Sequence, residues 1–424
     1  MESLDIKGFL TVKEASINVR PFTVLIGPQA SGKSVIAKVL YFFRSFLSSD
    51  FIQSIGNQQN KRQLDKTALM RFEQVFPRYA WSDQDFELVY RTNDLELTLH
   101  GRARSVGNPA PKFNYSTSLI KLHRKAKAEY GRLLDASMED RGLDPTEVYY
   151  DVLRRVVYET PFGESFERAV FIPASRSFYA NLQGSVFSFL ANNIPIDPLM
   201  KEFGSVYESN KRRFNQKGIR LRLGSKKLIG VREAIQQEAK SILAGDYTYE
   251  DDQDWIVAGK RKINLSNASS GQQEAAPLLV VLSGMARRTG RISFFIEEPE
   301  AHLFPVSQRR LIGIFSRLYH TFRHRFLLTT HSPYILTAMN NLILASNLVE
   351  ENGSEVETRV KKILGGDEMI RFDDVSAYTI EDGVLSSIIN SETRLIGSSI
   401  IDSVSDEFDS VMDKLMEVAL GKVS

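Results

Sequence analysis

Hydrophobic and polar residues alternate over the first 26 positions in three short runs, Leu4–Leu10, Lys13–Val19 and Phe22–Ile26. Alternation with a period of two is the mark of a half-buried strand, and the third run, continuously apolar, suits a strand covered on both faces. It leads straight into a glycine-containing loop. From Ser34 to Phe46 the period changes, and Ile36, Leu40 and Phe43 fall on one helical face. Residues 85–100 predict a hairpin turning at Thr92-Asn93-Asp94, and residues 103–116, rich in Gly, Pro, Asn and Ser, predict a loop. Helical periodicity covers residues 117–160. Ala169–Pro173 is a short strand, residues 195–250 are helical and irregular, Trp255–Leu265 returns to β, and Gln272–Arg288 is a helix. Arg291–Ile296 and Arg325–Thr329 are apolar-centred strands of the kind that helices bury on both sides. Strands alternating with helices predict an α/β fold with helical insertions between the early and late strands.

Composition narrows the class. The 424 residues suit two to three domains at about 150 residues each, or one large domain with an insertion. Hydrophobic residues at 42% and charged residues at 25% exclude collagen-like, fully disordered and polytopic membrane classes. There is no cysteine, so disulfides, thiol nucleophiles and thiolate zinc sites are excluded. Met1–Asp5 lacks a basic-then-apolar leader pattern, and the most apolar stretch, Ala275–Leu282, is far below the roughly 18 residues of a membrane helix. The expectation is a cytoplasmic protein without a membrane partner. The pattern divides into 1–110 (phosphate loop and antiparallel strands), 111–165 (helical insertion), 166–262 (a strand plus a helical, basic insertion), 263–348 (the later strands and their turns) and 349–424 (a short β/helix segment).

Fifty-four Lys and Arg against 52 Asp and Glu leave a net charge of +2, so any nucleic-acid footprint must be local. Residues 211–232 carry nine basic residues and no acid: Lys211, Arg212, Arg213, Lys217, Arg220, Arg222, Lys226, Lys227 and Arg232. Such a run can follow a DNA backbone. Neutralising about six phosphates would give a salt slope near −5. It can equally be a solvated helical face, or pair with the five acids of residues 246–254. The segment from Asp402 to Glu417 is also acidic.

Gly27-Pro28-Gln29-Ala30-Ser31-Gly32-Lys33-Ser34 fits the phosphate-loop pattern G-x-x-x-x-G-K-[ST], between an apolar strand and a helix as that pattern requires. Loop and helix-terminal N–H groups point at phosphates, Lys33 adds a point charge, and the Ser34 hydroxyl can ligate Mg²⁺. The phosphates of a nucleotide, with Mg²⁺, are the ligands this implies. Further on, the strand Ile292–Ile296 ends in Glu297-Glu298-Pro299-Glu300. Successive side chains on a strand point to opposite sides, so Glu297 reads as the Mg²⁺-side acid and Glu298 as the general base or water-orienting group. Ala268-Ser269-Ser270-Gly271-Gln272-Gln273 opens a helix, either as an ordinary N-cap or as a second anion cradle. His331, in Thr329-Thr330-His331-Ser332-Pro333, can hydrogen-bond a γ-phosphate or be a structural residue. His100, His123, His302, His320 and His324 show no metal-ligand spacing and read as structural.

In this order, the phosphate loop, the turn at Ser269–Gln272, the paired acids and His331 resemble an ATP-binding-cassette (ABC) ATPase, a P-loop NTPase head with a mixed sheet, an antiparallel β subdomain and helical insertions. Glu297–Leu303 and Thr329–Pro333 resemble the OLD and SMC-like (AAA15/AAA21-like) group, many of whose members belong to anti-phage systems. Ile172-Pro173-Ala174-Ser175-Arg176-Ser177 resembles a recurring segment of the same group, with no mechanism evident from its chemistry. The resemblance implies a dimer, or a higher homo-oligomer, with ATP held between the phosphate loop of one protomer and Ser269, Ser270, Gly271 and Gln272 of the other. It also implies that Lys33, Glu298 and His331 act in hydrolysis. OLD proteins carry a Toprim nuclease domain, for which the residues after Val349 are too few. The expectation is therefore an ATPase whose nuclease or toxin effector is a separate protein, like the ATPase subunits of the PARIS and Septu defence systems. A low-turnover ATP-bound scaffold and a transporter ATPase subunit are the alternatives.

Overall fold

The computed structural model describes residues 2–103, 111–139, 144–182, 196–214, 226–286, 290–366 and 368–397. The first three apolar runs form β1 (Glu2–Phe9), β2 (Val12–Val19) and β3 (Phe22–Ile26). Helix α1 (Lys33–Ser45) follows and passes without a break through a π-helical turn, Phe46–Phe51, into α2 (Ile52–Gly56). After α3 (Lys61–Val75) come β4 (Phe86–Thr92), β5 (Leu95–Gly101) and β6 (Lys112–Tyr115). Helices α4 (Thr117–Glu139) and α5 (Pro145–Val152) then pack together and lead to β7 (Arg168–Ile172). A helical stretch follows: α6 (Ser177–Leu182), α7 (Pro198–Phe214) and α8 (Lys226–Leu243). A small three-stranded sheet of β8 (Asp246–Glu250), β9 (Gln253–Ala258) and β10 (Arg261–Asn264) precedes α9 (Ser270–Met285). The remainder alternates: β11 (Ile292–Glu297), α10 (Pro305–Phe322), β12 (Arg325–Thr330), α11 (Pro333–Asn352), α12 (Ser354–Leu364), β13 (Val375–Glu381) and β14 (Val384–Ser387).

Eleven strands make one mixed sheet in the order β6-β5-β4-β1-β2-β14-β13-β3-β12-β11-β7. The antiparallel strands expected as a subdomain are one half of this sheet. The other half, β13-β3-β12-β11-β7, is parallel throughout. Side-chain alternation divides its core between two faces. Leu25, Phe171, Phe295 and Leu327 meet Ile36, Leu40 and Phe43 of α1 on one face. Val24, Ile26, Ile172, Phe294, Ile296 and Leu328 meet Leu278 and Leu282 of α9 and Phe315 of α10 on the other. Each such buried side chain contributes about 1.5–3 kcal/mol, which explains why these strands read as unbroken apolar runs.

Two expectations fail. Residues 112–115, expected in a loop, form an edge strand because Phe113 packs edge-on against Phe46 while the backbone pairs with β5. Residues 246–250, expected to be helical, form β8. It turns into β9 at Asp251 and Asp252, both with positive φ (52° and 56°), as a two-residue hairpin turn requires. The acidic run is therefore a turn plus strand ends. The acidic segment from Asp402 to Glu417 lies outside the described residues.

Candidate nucleotide-binding site

Parallel strands direct their C-terminal ends to one edge of the sheet, where open α/β folds bind ligands. Four neighbouring strands end level there: Ile26 pairs with Thr330, Thr329 with Glu297, and Ile296 with Ile172. The residues that follow are the loop Gly27–Ser34 after β3, His331 after β12, Glu298 after β11 and Pro173–Arg176 after β7.

In the loop, Gly32 is the N-cap of α1 with φ 110°, and a Cβ there would lie 3.0 Å from Val12 and 3.1 Å from Thr11. Both the backbone angle and the space call for glycine. No acid stands in the first turn of α1, so its N-terminal dipole faces the loop uncompensated. Gly27 adopts φ 151° and Ala30 φ 58°, while Pro28, Gln29 and Ala30 are exposed. Lys33 Nζ donates to the carbonyls of Gly27 (2.8 Å) and Pro28 (2.6 Å), reaches Ser31 Oγ at 3.4 Å and lies 3.5 Å from His331 Nδ1. Burial holds its ammonium below the ordinary lysine range, against the pull of Glu298 and Glu300.

His331 Nε2 is 3.3 Å from Glu298 Oε1. The ring therefore stands between the Lys33 ammonium and the Glu298 carboxylate. The structure thus brings Lys33, His331 and Glu298 together. Glu300, not singled out from the sequence, sets this geometry: its Oε1 accepts the Thr330 hydroxyl (2.5 Å) and the His331 N–H (2.9 Å).

Glu297 is the last residue of β11 and is buried. Burial raises its carboxyl above the usual range, while Lys38 and a hydrogen bond from Ser34 draw it back. Its Oε1 has no hydrogen-bond partner. A buried, unsatisfied carboxylate oxygen beside a serine hydroxyl fits a hard cation such as Mg²⁺. Among the described residues no group of three or more His, Asp or Glu could hold a metal alone, so the other ligands would come from phosphate and water, as is usual for Mg²⁺. Glu298 lies beyond the strand with φ 43°, and its N–H donates to Thr329 O at 2.9 Å. Its direction comes from this left-handed residue and not from strand alternation.

The turn before α9 divides its labour. Ser269 is the N-cap in a capping box with Gln272. Gln272 Oε1 also accepts the Ser269 hydroxyl, and its Nε2 donates to Leu243 O at 2.7 Å. Its amide is therefore engaged within the protomer. Ser270 is exposed and Gly271 half-buried at the helix start. The segment around Arg176 acquires a physical account here. Arg176 is fully buried; Nε donates to Glu274 O (2.9 Å), Nη1 to Pro173 O (3.0 Å) and Glu297 O (2.8 Å), and Nη2 to Glu298 O (2.9 Å).

The basic segment is corrected in part. Lys211 is buried, 3.0 Å from Asp254 Oδ2 and 4.4 Å from the Tyr207 ring centre. Arg232 is buried and donates to Ala286 O at 3.3 Å. Neither side chain faces a nucleic acid, because each is taken up in packing α7 and α8 on the core. Lys217, Arg220 and Arg222 lie outside the described residues.

Residues 191–336 match the family described as an AAA ATPase domain. The match takes in the turn at Ser269–Gln272, Glu297, Glu298 and His331; the phosphate loop lies outside it and is a separate signal. It supports an ATP-binding ATPase in this part of the chain. No curated protein matches the sequence. Solved structures similar to the chain include the SMC head domain from Thermotoga maritima, at 13% identity over 91% of this chain and 97% of that chain, with a TM-score of 0.36. Another is the Smc head domain from Pyrococcus furiosus bound to the C-terminal domain of ScpA, at 11% over 96% and 100%, with 0.39. The recombination mediator protein RecF is similar at 9% over 91% and 97%, with 0.30. No described helix is long and apolar enough to cross a membrane.

Proposed function

We propose that the chain is a magnesium-dependent, ABC-type ATPase in which two copies close around ATP. The reading is carried by one observation: Lys33, His331 and Glu298 touch in series at the ends of adjacent parallel strands. Lys33 leaves the carbonyls of Gly27 and Pro28 for the terminal phosphates, and the N–H groups opening α1 meet their oxygens. Glu298 orients the attacking water and takes its proton. His331 presents its Nε2 proton to the γ-phosphate or to Glu298, and so registers whether that phosphate is there. Ser34 and Glu297 would hold magnesium, which supplies charge neutralisation. Ser270 and Gly271 offer free helix-terminal N–H groups to the ATP of the other copy.

The finer reading is a sensor or switch whose closure controls a nuclease or toxin effector in anti-phage defence, with DNA as a further contact. Its support is the likeness of Glu297–Leu303 and Thr329–Pro333 to OLD-group motifs. The test of the site is Glu298→Gln, expected to keep ATP, slow turnover on the order of 10²–10³-fold and accumulate dimer, beside Lys33→Ala, expected to lose ATP. Turnover unchanged in Glu298→Gln would refute the assigned role.

A further inference from the structure

We infer that Arg176 and Glu274 form a buried latch that carries the position of the α9 N-terminus to Glu298, which makes Arg176 a positioning residue for the acid pair. The inference rests on the nucleotide reading above and deepens it.

Glu274 stands one turn into α9, four residues beyond Ser270. Its two carboxylate oxygens accept the N–H groups of Arg176 (2.8 Å) and Ser177 (3.0 Å), and its own carbonyl accepts Arg176 Nε. Helix α9 thus holds Arg176 by side chain and backbone together. Arg176 in turn clasps the consecutive carbonyls of Glu297 and Glu298, fixing the peptide that aims the Glu298 side chain. That peptide needs fixing: a left-handed glutamate costs roughly 1–2 kcal/mol and persists only where its surroundings over-determine it. A second contact joins the same two segments. A Cβ on Gly271 would lie 2.7 Å from the His302 carbonyl, so the α9 turn sits backbone to backbone on the loop that begins at Glu298.

The guanidinium is planar and rigid, and its fork engages two carbonyls at the β11 end, one just after β7 and one on α9. A displacement of α9 is therefore passed on. Any phosphate that engages Ser270 and Gly271 pulls on the helix that holds Arg176, and Arg176 moves the carbonyl of Glu298, whose carboxylate is 3.3 Å from His331. The latch would let contact at one phosphate surface set the acid used at the other.

Two variants of the full chain test this. Glu274→Gln replaces a carboxylate oxygen with an amide donor facing the N–H of Arg176 or Ser177. Gly271→Ala presses a methyl on the His302 carbonyl; because Gly271 also faces the phosphate, only kcat and exchange are read in this variant. For both we expect kcat lower on the order of 10²-fold, as for a catalytic group misplaced by about 1 Å, and for Glu274→Gln an ATP affinity close to the parent's with KM little changed. Hydrogen exchange adds a readout that a merely structural role would not move. In the parent, ATP and magnesium should protect both the loop 27–34 and residues 297–304; in the variants only the loop. Parent-like kcat, or parent-like protection at 297–304, overturns the latch. So does a joint fall in affinity, kcat and melting temperature in Glu274→Gln, which marks a purely structural clamp. A parent that neither binds nor hydrolyses ATP defeats the nucleotide reading and the latch with it. A turning-over parent with indifferent variants defeats the latch alone.

Discussion

Acid should unfold this protein in part through His324. The ring is fully buried between Phe294 and Phe322, its Nδ1 accepts the Ile292 N–H at 3.2 Å, and its Nε2 has no partner. Burial pushes its pKa from 6.5 down to about 4. The unfolded chain binds this proton below 6.5 and the folded chain only near 4, so the contribution is fully present above 6.5 and is lost as the pH falls towards 4. A gap of roughly 2.5 units at 1.36 kcal/mol each amounts to about 3 kcal/mol over the whole window, of which about 2 kcal/mol is gone at pH 5. In His324→Gln the amide oxygen can still accept the Ile292 N–H, but nothing titrates. Urea unfolding at about pH 7.5 and about pH 5 should show the parent losing about 2 kcal/mol more than the variant between the two. Parallel losses in both proteins would refute the reasoning.

Glu297→Gln should separate stability from function: removing a buried carboxylate with an unpartnered oxygen raises the melting temperature at neutral pH, while magnesium-dependent phosphate release disappears. A lower melting temperature would count against the unsatisfied-oxygen argument. Lys211→Met should cost about 3–5 kcal/mol by leaving Asp254 buried without its cation, yet leave any DNA affinity and its salt slope unchanged. Fluorescence anisotropy on duplex DNA beside urea melts checks both, and adding Asp254→Asn should recover much of the lost stability.

What could be read from the sequence was local. The phosphate loop is eight consecutive residues, and the strand-loop-helix around it follows from the apolar run Phe22–Ile26 and the helical period after Ser34. Glu297, Glu298 and His331 were legible because they end apolar runs that could only be buried strands. What escaped was set by distance along the chain. Glu300 orients His331 across 31 positions, and Arg176 meets Glu274 across 98. No window of sequence contains either pair. Strand alternation also stops at Glu297, so the turn that aims Glu298 could not be extrapolated. Gln272 looked like part of an anion cradle, but its amide was already committed to capping α9 and bonding Leu243. The strands β6 and β8 were missed for the opposite reason: polar composition suggested loop or helix, and pairing with β5 and β9 overrode it.

Buried acids at the two ends of the strands are held in different ways. At the opposite ends of the strands, Glu2 is as buried as Glu297, yet it accepts from Arg44, Tyr90 and Arg325. Although burial raises its carboxyl, Arg44 and Arg325 carry it below the usual range. That cluster is closed and satisfied, as a structural ion pair must be if it is not to cost stability. At the other edge, Glu297 Oε1 on β11, Glu300 Oε2 in the turn after it and Thr329 Oγ1 on β12 are buried without partners. Each such atom costs on the order of 1–3 kcal/mol. Buried atoms without partners also occur at the opposite strand ends, among them Ser293 Oγ, Glu167 Oε2 and His324 Nε2; Glu297 differs in being a carboxylate drawn on by the Ser34 hydroxyl, where the phosphate loop, Glu298 and His331 converge, which fits an oxygen kept for a ligand.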